Sequence, residues 1–187
     1  MAANLERPQL IAPIPDGVPT SMRAARRWAP WRAEWNERKQ KYTKIPHRAD
    51  RPQAGLSNKG TAGWVTFEQA MAAYLENLSG PPIYNHDGEQ IKFAGVGYLM
   101  TGPHGVTGVD LDHCRDPATG MIDDWALEIA AKLDSYTEVS PSGTGLHIMV
   151  AGDVPEDWTN HDRGIEVYGG NEARFLCITG RRVPGKP

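Results

Sequence analysis

The sequence predicts a mixed α/β fold of the α+β kind, a single domain or two small lobes sharing a cleft. Three observations point there. Short stretches of alternating apolar and polar residues recur through the second half of the chain, which is the period-two signature of half-buried strands. Two other stretches, 67–78 and 125–133, carry apolar residues at helical spacing behind capping residues. The 187 residues, 40% hydrophobic and 23% charged, are enough to enclose a real core.

Composition excludes several classes. No apolar run approaches the length of a membrane span, and the N-terminus lacks a signal-peptide core. Cys114 and Cys177 are too few for a disulfide framework, which points to a reducing interior. Net charge is only −3, but it is unevenly spread. Residues 23–51 hold ten of the twenty Lys and Arg against three acids, leaving the remainder strongly acidic. A basic N-terminal lobe facing an acidic one suits a protein that handles nucleic acid and nucleotide, although a solvated basic face explains the run equally well.

Residues 1–20 are proline-rich and aperiodic, so an irregular arm is expected. Trp31, Ala33 and Trp35 alternate with Arg32, Glu34 and Asn36, a strand that should return through Lys41–Ile45 after a polar hairpin loop. Tryptophans among arginines can stack on bases, yet for Trp28, Trp31 and Trp35 the core is the preferred reading. Residues 46–63 read as a loop. Thr66 and Gln69 form a capping box ahead of a helix with Phe67, Ala70, Met71, Tyr74, Leu75 and Leu78 on one face. Phe93–Met100 reads as a strand, and a turn then leads to Gly108-Val109-Asp110-Leu111-Asp112. His104, His113 and Cys114 lack a second pair at structural-site spacing, so zinc is not expected.

The stretch 108–112 organises the rest. Val109 and Leu111 share one face of a strand, and Asp110 and Asp112 share the other, roughly 6–7 Å apart at about 3.3 Å per residue. Such close carboxylates repel unless a cation holds them, although two solvated acids on an edge strand would look the same. Leu146-His147-Ile148-Met149-Val150 and Ile165-Glu166-Val167-Tyr168 repeat the alternation. In one sheet, Asp110, Asp112, His147 and Glu166 could converge on a metal-and-phosphate site. Between these strands, Asp123 or Asp124 should cap a helix from Trp125 to Leu133, the crossover that a βαβ unit requires. The Ser142-Gly143-Thr144-Gly145 loop offers hydroxyls and N–H groups to an anion. Residues 165–168 and 174–179 should pair as a hairpin, placing Arg174 beside Glu166. Residues 180–187 look like a linker, with further chain expected beyond.

In these motifs the chain resembles the archaeo-eukaryotic primase superfamily. Val109-Asp110-Leu111-Asp112 matches its first motif, Gly145-Leu146-His147 the end of its second, and Ile165-Glu166 its third. Asp-Leu-Asp-His-Cys-Arg-Asp-Pro and Ser-Tyr-Thr-Glu-Val-Ser-Pro-Ser-Gly-Thr-Gly-Leu-His closely resemble the primase-polymerases of phage- and plasmid-associated bacterial replication proteins. Two positions depart from the pattern. Gly145 stands where serine is common, leaving Ser142 or loop amides to take over its role, and the third acid is Glu166 where aspartate is frequent.

The resemblance implies a two-lobed core: a basic lobe over about 21–90, an RRM-like catalytic lobe over about 91–180, and a tail over 181–187. It implies template-directed nucleotidyl transfer, with Asp110, Asp112 and Glu166 holding two Mg²⁺ or Mn²⁺ ions. His147, Ser142, Gly143, Thr144, Gly145, Arg174 and Lys44 would bind the NTP or dNTP. Arg38, Lys39, Lys41 and Lys44 would follow a single-stranded DNA template. A longer native protein with a helicase or other C-terminal domain, in the cytoplasm of a bacterial or phage-infected cell, fits the same resemblance. A metal-dependent nuclease and a non-catalytic origin-binding module remain as rivals.

Overall fold

The computed structural model describes residues 7–102, 105–169 and 172–185. His104 and the Gly170-Asn171 turn lie outside the described residues. Helices run Thr20–Arg23 (α1), Phe67–Ser79 (α2) and Asp124–Leu133 (α3). The strands are Trp28–Asn36 (β1), Lys41–Pro46 (β2), Ile83–Tyr84 (β3), Gln90–Ile91 (β4), Phe93–Leu99 (β5) and Val106–Leu111 (β6). They continue with Tyr136–Val139 (β7), Leu146–Ala151 (β8), Trp158–Asn160 (β9), Ile165–Tyr168 (β10) and Phe175–Ile178 (β11).

Two antiparallel sheets, ordered β11-β5-β1-β2 and β7-β8-β6-β10-β9, make an α+β fold. In the second sheet α3 carries the chain from β6 to β7, with β8 lying between them, so β6 and β7 run parallel as a crossover requires. Val109, Leu111, Leu146, Ile148, Ile165 and Val167 occupy the face that α3 covers with Ala126 and Ala130. The opposite face meets the first sheet: Tyr136 and Met149 pack with Met100, Leu176 and Ile178. The inner strands β7 and β8 are therefore enclosed by two layers, with Glu138 and His147 buried at one end of that interface, whereas the edge strand β9 is largely exposed.

Trp28 and Trp31 are buried and Trp35 is half-buried against Tyr42, so most of the aromatic run is core. Trp28 meets Phe67 and Tyr98 edge-on at 4.8 and 5.2 Å, an arrangement favoured by the ring quadrupoles, and its indole donates to the Met22 carbonyl. Thr66 and Gln69 form the capping box in both directions. Asp123 stands at the start of α3, but its carboxylate accepts from the Trp125 indole instead of a backbone N–H.

One expected pairing is corrected. β10 and β11 do not pair: β10 lies between β6 and β9, whereas β11 joins β5 in the other sheet. The continuous apolar run Leu176-Cys177-Ile178 is buried, as suits a strand enclosed on both faces rather than an alternating one. For the same reason Phe93–Leu99 belongs with β1 and β2, so the sheets do not divide the chain at residue 90. The proline-rich arm is tied down, with Ile11 and Ile14 donating to the carbonyls of Pro141 and Thr179. Within the expected tail, Val139 donates to Arg181, Val183 donates to Thr137, and the Val183 side chain is buried. Among the described residues, no helix is long and apolar enough to cross a membrane.

The capping box gives a direct test of how α2 begins. Thr66→Ala should cost about 1 kcal/mol and lower Tm by roughly 2–4 °C for a chain of this size, read by thermal denaturation. An unchanged Tm would mean that packing alone sets the start of this helix.

Candidate active site

β6 runs between β8 and β10, and its register sets Asp110 directly opposite both His147 and Glu166. Directly paired positions carry their Cβ atoms about 4.5–5.5 Å apart. Asp112 follows the end of the strand, where its N–H donates to the Gly164 carbonyl at 2.8 Å. Gly164 has φ +63°, and a Cβ there would come within 3.2 Å of the Asp112 Cβ, so a glycine lets the β9–β10 turn approach the acid.

The electrostatics show crowding of like charge. Desolvation, then the nearby Asp110 charge, raises the Asp112 carboxyl above its ordinary range, although the residue reaches the surface. Glu166 is raised likewise, by burial first and then by Asp110 and Asp112, with His161 and Arg174 opposing. Asp110 Oδ1 is buried without a hydrogen-bond partner.

Lys44 and Arg174 share with Asp110 a cavity of about 320 Å³, which Asn58, Tyr168 and Cys177 also line. Lys44 is exposed on β2. The Arg174 guanidinium lies over the Tyr168 ring at 5.2 Å, with Nη2 2.6 Å from Glu172 and Nε 3.7 Å from Asp157. Arg174 thus reaches the cavity from the segment before β11, not through the expected hairpin. Arg38, Lys39 and Lys41 are exposed around the β1–β2 turn. Lys41 lies about 10 Å along β2 from Lys44 at the usual strand rise and, three residues away, points to the other face of the strand; of the basic run 38–44, Lys44 is the residue that lines the cavity.

The histidine and the Gly/Ser/Thr loop stand differently from expectation. The His147 side chain has no exposure, and Nε2 ends 3.6 Å from Asp110 Oδ1. It is therefore aimed at the acid rather than into open space. Ser142 and Gly143 line a separate cavity of about 640 Å³ with residues of the N-terminal arm, Arg115 and Arg181. The loop also satisfies itself. Ser142 Oγ lies 3.1 Å from Ser140 Oγ and 2.8 Å from Thr144 Oγ1, and the N–H groups of Gly143 and Gly145 are taken up by Ser140. At Gly145 a Cβ would lie 2.5 Å from the Leu111 carbonyl oxygen, so the serine common in related motifs has no room here.

Among the described residues, no three His, Cys, Asp or Glu side chains are gathered closely enough to grip a metal ion as they stand. The donor chemistry nonetheless fits one. Asp110, Asp112 and Glu166 supply the hard oxygens that Mg²⁺ or Mn²⁺ prefers. Their mutual repulsion and the orphaned Asp110 oxygen are what a cation would relieve.

Sequence reasoning missed Glu138 and Asn58. Glu138 is wholly buried, and its Oε1 lies 3.1 Å from His147 Nδ1. The signal was there: in Tyr136-Thr137-Glu138-Val139 the same alternation turns Val139 toward α3 and Glu138 toward the acid face. Asn58 sits in an aperiodic loop and carried no signal.

Two sheets thus meet beside Asp110, with Lys44 and Arg174 lining the same cavity. Over 172 residues, 89% of its length, the chain is 30% identical to the DNA primase-polymerase of Nitratiruptor phage NrS-1, and it spans 21% of that relative. No family model matches the chain.

The raised carboxyls set the sign of a pH effect. Well below about pH 4, the ordinary carboxylate range, the folded and unfolded forms are both protonated and the crowding costs nothing. As pH rises through the raised folded-state values, the unfolded chain ionises more readily and stability is lost. Asp112→Asn or Glu166→Gln should therefore raise Tm at neutral pH without added metal, and the gain should vanish in acid. A lower Tm at neutral pH would show that neither burial nor neighbouring like charge penalises these carboxylates in the folded state.

Proposed function

We propose that this chain is the catalytic core of a template-directed nucleotidyltransferase, joining nucleotides to a 3′-hydroxyl on single-stranded DNA. The observation that carries the reading is Asp110, set by strand register between His147 and Glu166 and facing Lys44 and Arg174 across one cavity. The printed name of the phage relative supports it.

Asp110, Asp112 and Glu166 would hold two divalent ions, Mg²⁺ or Mn²⁺. When bound, such ions lower the pKa of an attacking hydroxyl and stabilise the charge on a leaving pyrophosphate. Lys44 and Arg174 approach from the other sheet and would bind the triphosphate of an NTP or dNTP, preorganised charge that need not rearrange as the reaction proceeds. For Arg174 this means exchanging Glu172 for phosphate. His147 borders Asp110 and would fix how that carboxylate is presented. Arg38, Lys39 and Lys41 would track the template backbone toward Lys44. A nuclease would use the same acids, but it has no need of two cations placed for a triphosphate.

The test is incubation with a primed single-stranded template, Mg²⁺ or Mn²⁺ and labelled nucleotides. Extension is expected, and shortening of the DNA would point to a nuclease instead. Asp110→Ala combined with Asp112→Ala should abolish incorporation while leaving a cooperative melt. Substantial extension by the folded double variant would contradict the assignment.

Template tracking has its own readout. Replacing Arg38, Lys39 and Lys41 with glutamine should weaken DNA binding and flatten its salt dependence, by about 0.7 in log–log slope for each phosphate no longer neutralised. An unaltered slope, measured by titration at several salt concentrations, would make this run a solvated face.

A further inference from the structure

Beneath the acid face lies a buried carboxylate, Glu138, with no part in the reaction as described so far. The Glu138 carboxylate has no exposure and is met by four donors. Tyr136 Oη donates to Oε2 at 2.6 Å, and Gly180 N donates to the same oxygen at 2.7 Å. Thr179 N lies 3.1 Å from both oxygens, and His147 Nδ1 lies 3.1 Å from Oε1. Thr179 and Gly180 follow β11, so this carboxylate in the second sheet holds backbone that leaves the first. On the far side of the imidazole, His147 Nε2 faces Asp110 Oδ1 at 3.6 Å, and both atoms are buried without a hydrogen-bond partner.

We propose that Glu138 is a positioning residue for the nucleotidyl-transfer site: it holds His147 through Nδ1–H and so fixes which nitrogen, at what angle, is presented to Asp110. The argument rests on hydrogen-bond valence. A carboxylate can only accept, so Nδ1 must carry the hydrogen that points at Glu138. The ring is then pinned at one end and enclosed all round, and Nε2 has no direction open to it but Asp110. Carboxylates behind metal-bound imidazoles set their tautomer and angle in this way, and losing one typically costs about 10- to 100-fold in metal affinity or activity; here the imidazole faces Asp110 in place of a metal. Because the same carboxylate anchors Thr179 and Gly180, the setting of His147 is tied to the spacing of the two sheets, and with it to the distance between Asp110 and the cations across the cavity.

Glu138→Gln separates this role from simple packing. The two backbone N–H groups cannot rotate away, so the new carbonyl oxygen should stay with them and turn its NH₂ toward His147. Nδ1 must then accept, and the hydrogen moves to Nε2. Ring nitrogen frequencies of ¹⁵N-histidine-labelled protein read this directly. In the wild type His147 Nδ1 should be protonated and coupled to a carboxylate, and in Glu138→Gln it should take the frequency of an unprotonated nitrogen. The inference rests on the nucleotidyl-transfer reading for its second measurement. Glu138→Gln should lower incorporation about 10- to 100-fold, and that loss should disappear in a His147→Ala background, because neighbours acting through one another are not additive.

An unprotonated Nδ1 in the wild type would overturn the proposal, whether or not the glutamine variant folds. So would losses that simply add, since they would make Glu138 a packing residue. A folded wild type with no incorporation at all would defeat the transferase reading instead, and the ring frequencies would then decide the Glu138–His147–Asp110 link alone.

Discussion

Everything at the site depends on the register of β6 between β8 and β10. Slipping either neighbour by one residue would turn His147 or Glu166 to the opposite face, under α3, because side chains alternate with period two. The register is held by apolar pairs on that covered face: Val109 with Ile148 and Val167, and Leu111 with Leu146 and Ile165. Fully burying a side chain of this size is worth about 1.5–3 kcal/mol, and Leu111, Leu146 and Ile148 are fully buried, with Ile165 and Val167 partly so. Core packing on one side of the sheet therefore holds together, on the other, charges that would separate if left to themselves.

The second requirement is that the two sheets stay together at their polar end. The apolar packing of Met100, Leu176 and Ile178 with Tyr136 and Met149 does part of this. Glu138 adds to it, accepting from the backbone just past β11 while holding His147, beside the Val139–Arg181, Val183–Thr137 and Thr179–Val139 hydrogen bonds. Lys44 and Arg174 then line the cavity that Asp110 reaches, with Arg174 paired to Glu172. A divided site of this kind suits a substrate that brings its own negative charge together with metal ions.

Much of this was legible in the residues. Alternation placed Asp110, His147 and Glu166 on one face, and one sheet did bring them together; the capping box and the α3 crossover were equally plain. What failed was pairing at long range. Residues 165–168 and 174–178 are close in sequence with turn formers between them, so a hairpin was the economical guess, but the buried run at 176–178 is better enclosed beside β5. Phe93–Leu99 pairs with β1 and β11, neighbours that a strand's own pattern does not name. The Ser142 loop has the composition of an anion cradle, yet its groups bond to one another. Glu138 escaped notice because an acid in a short, wholly buried strand reads as an exception until its four donors are seen.

Whether Asp110, Asp112 and Glu166 form a divalent-cation site is read out by Mn²⁺ titration followed by NMR. Paramagnetic broadening should begin at the amides of Asp110, Asp112 and Glu166, spread to neighbours on β6, β8 and β10, and vanish when Asp110 and Asp112 are both alanine. Broadening centred on other acids, or unchanged in the double variant, would contradict the account.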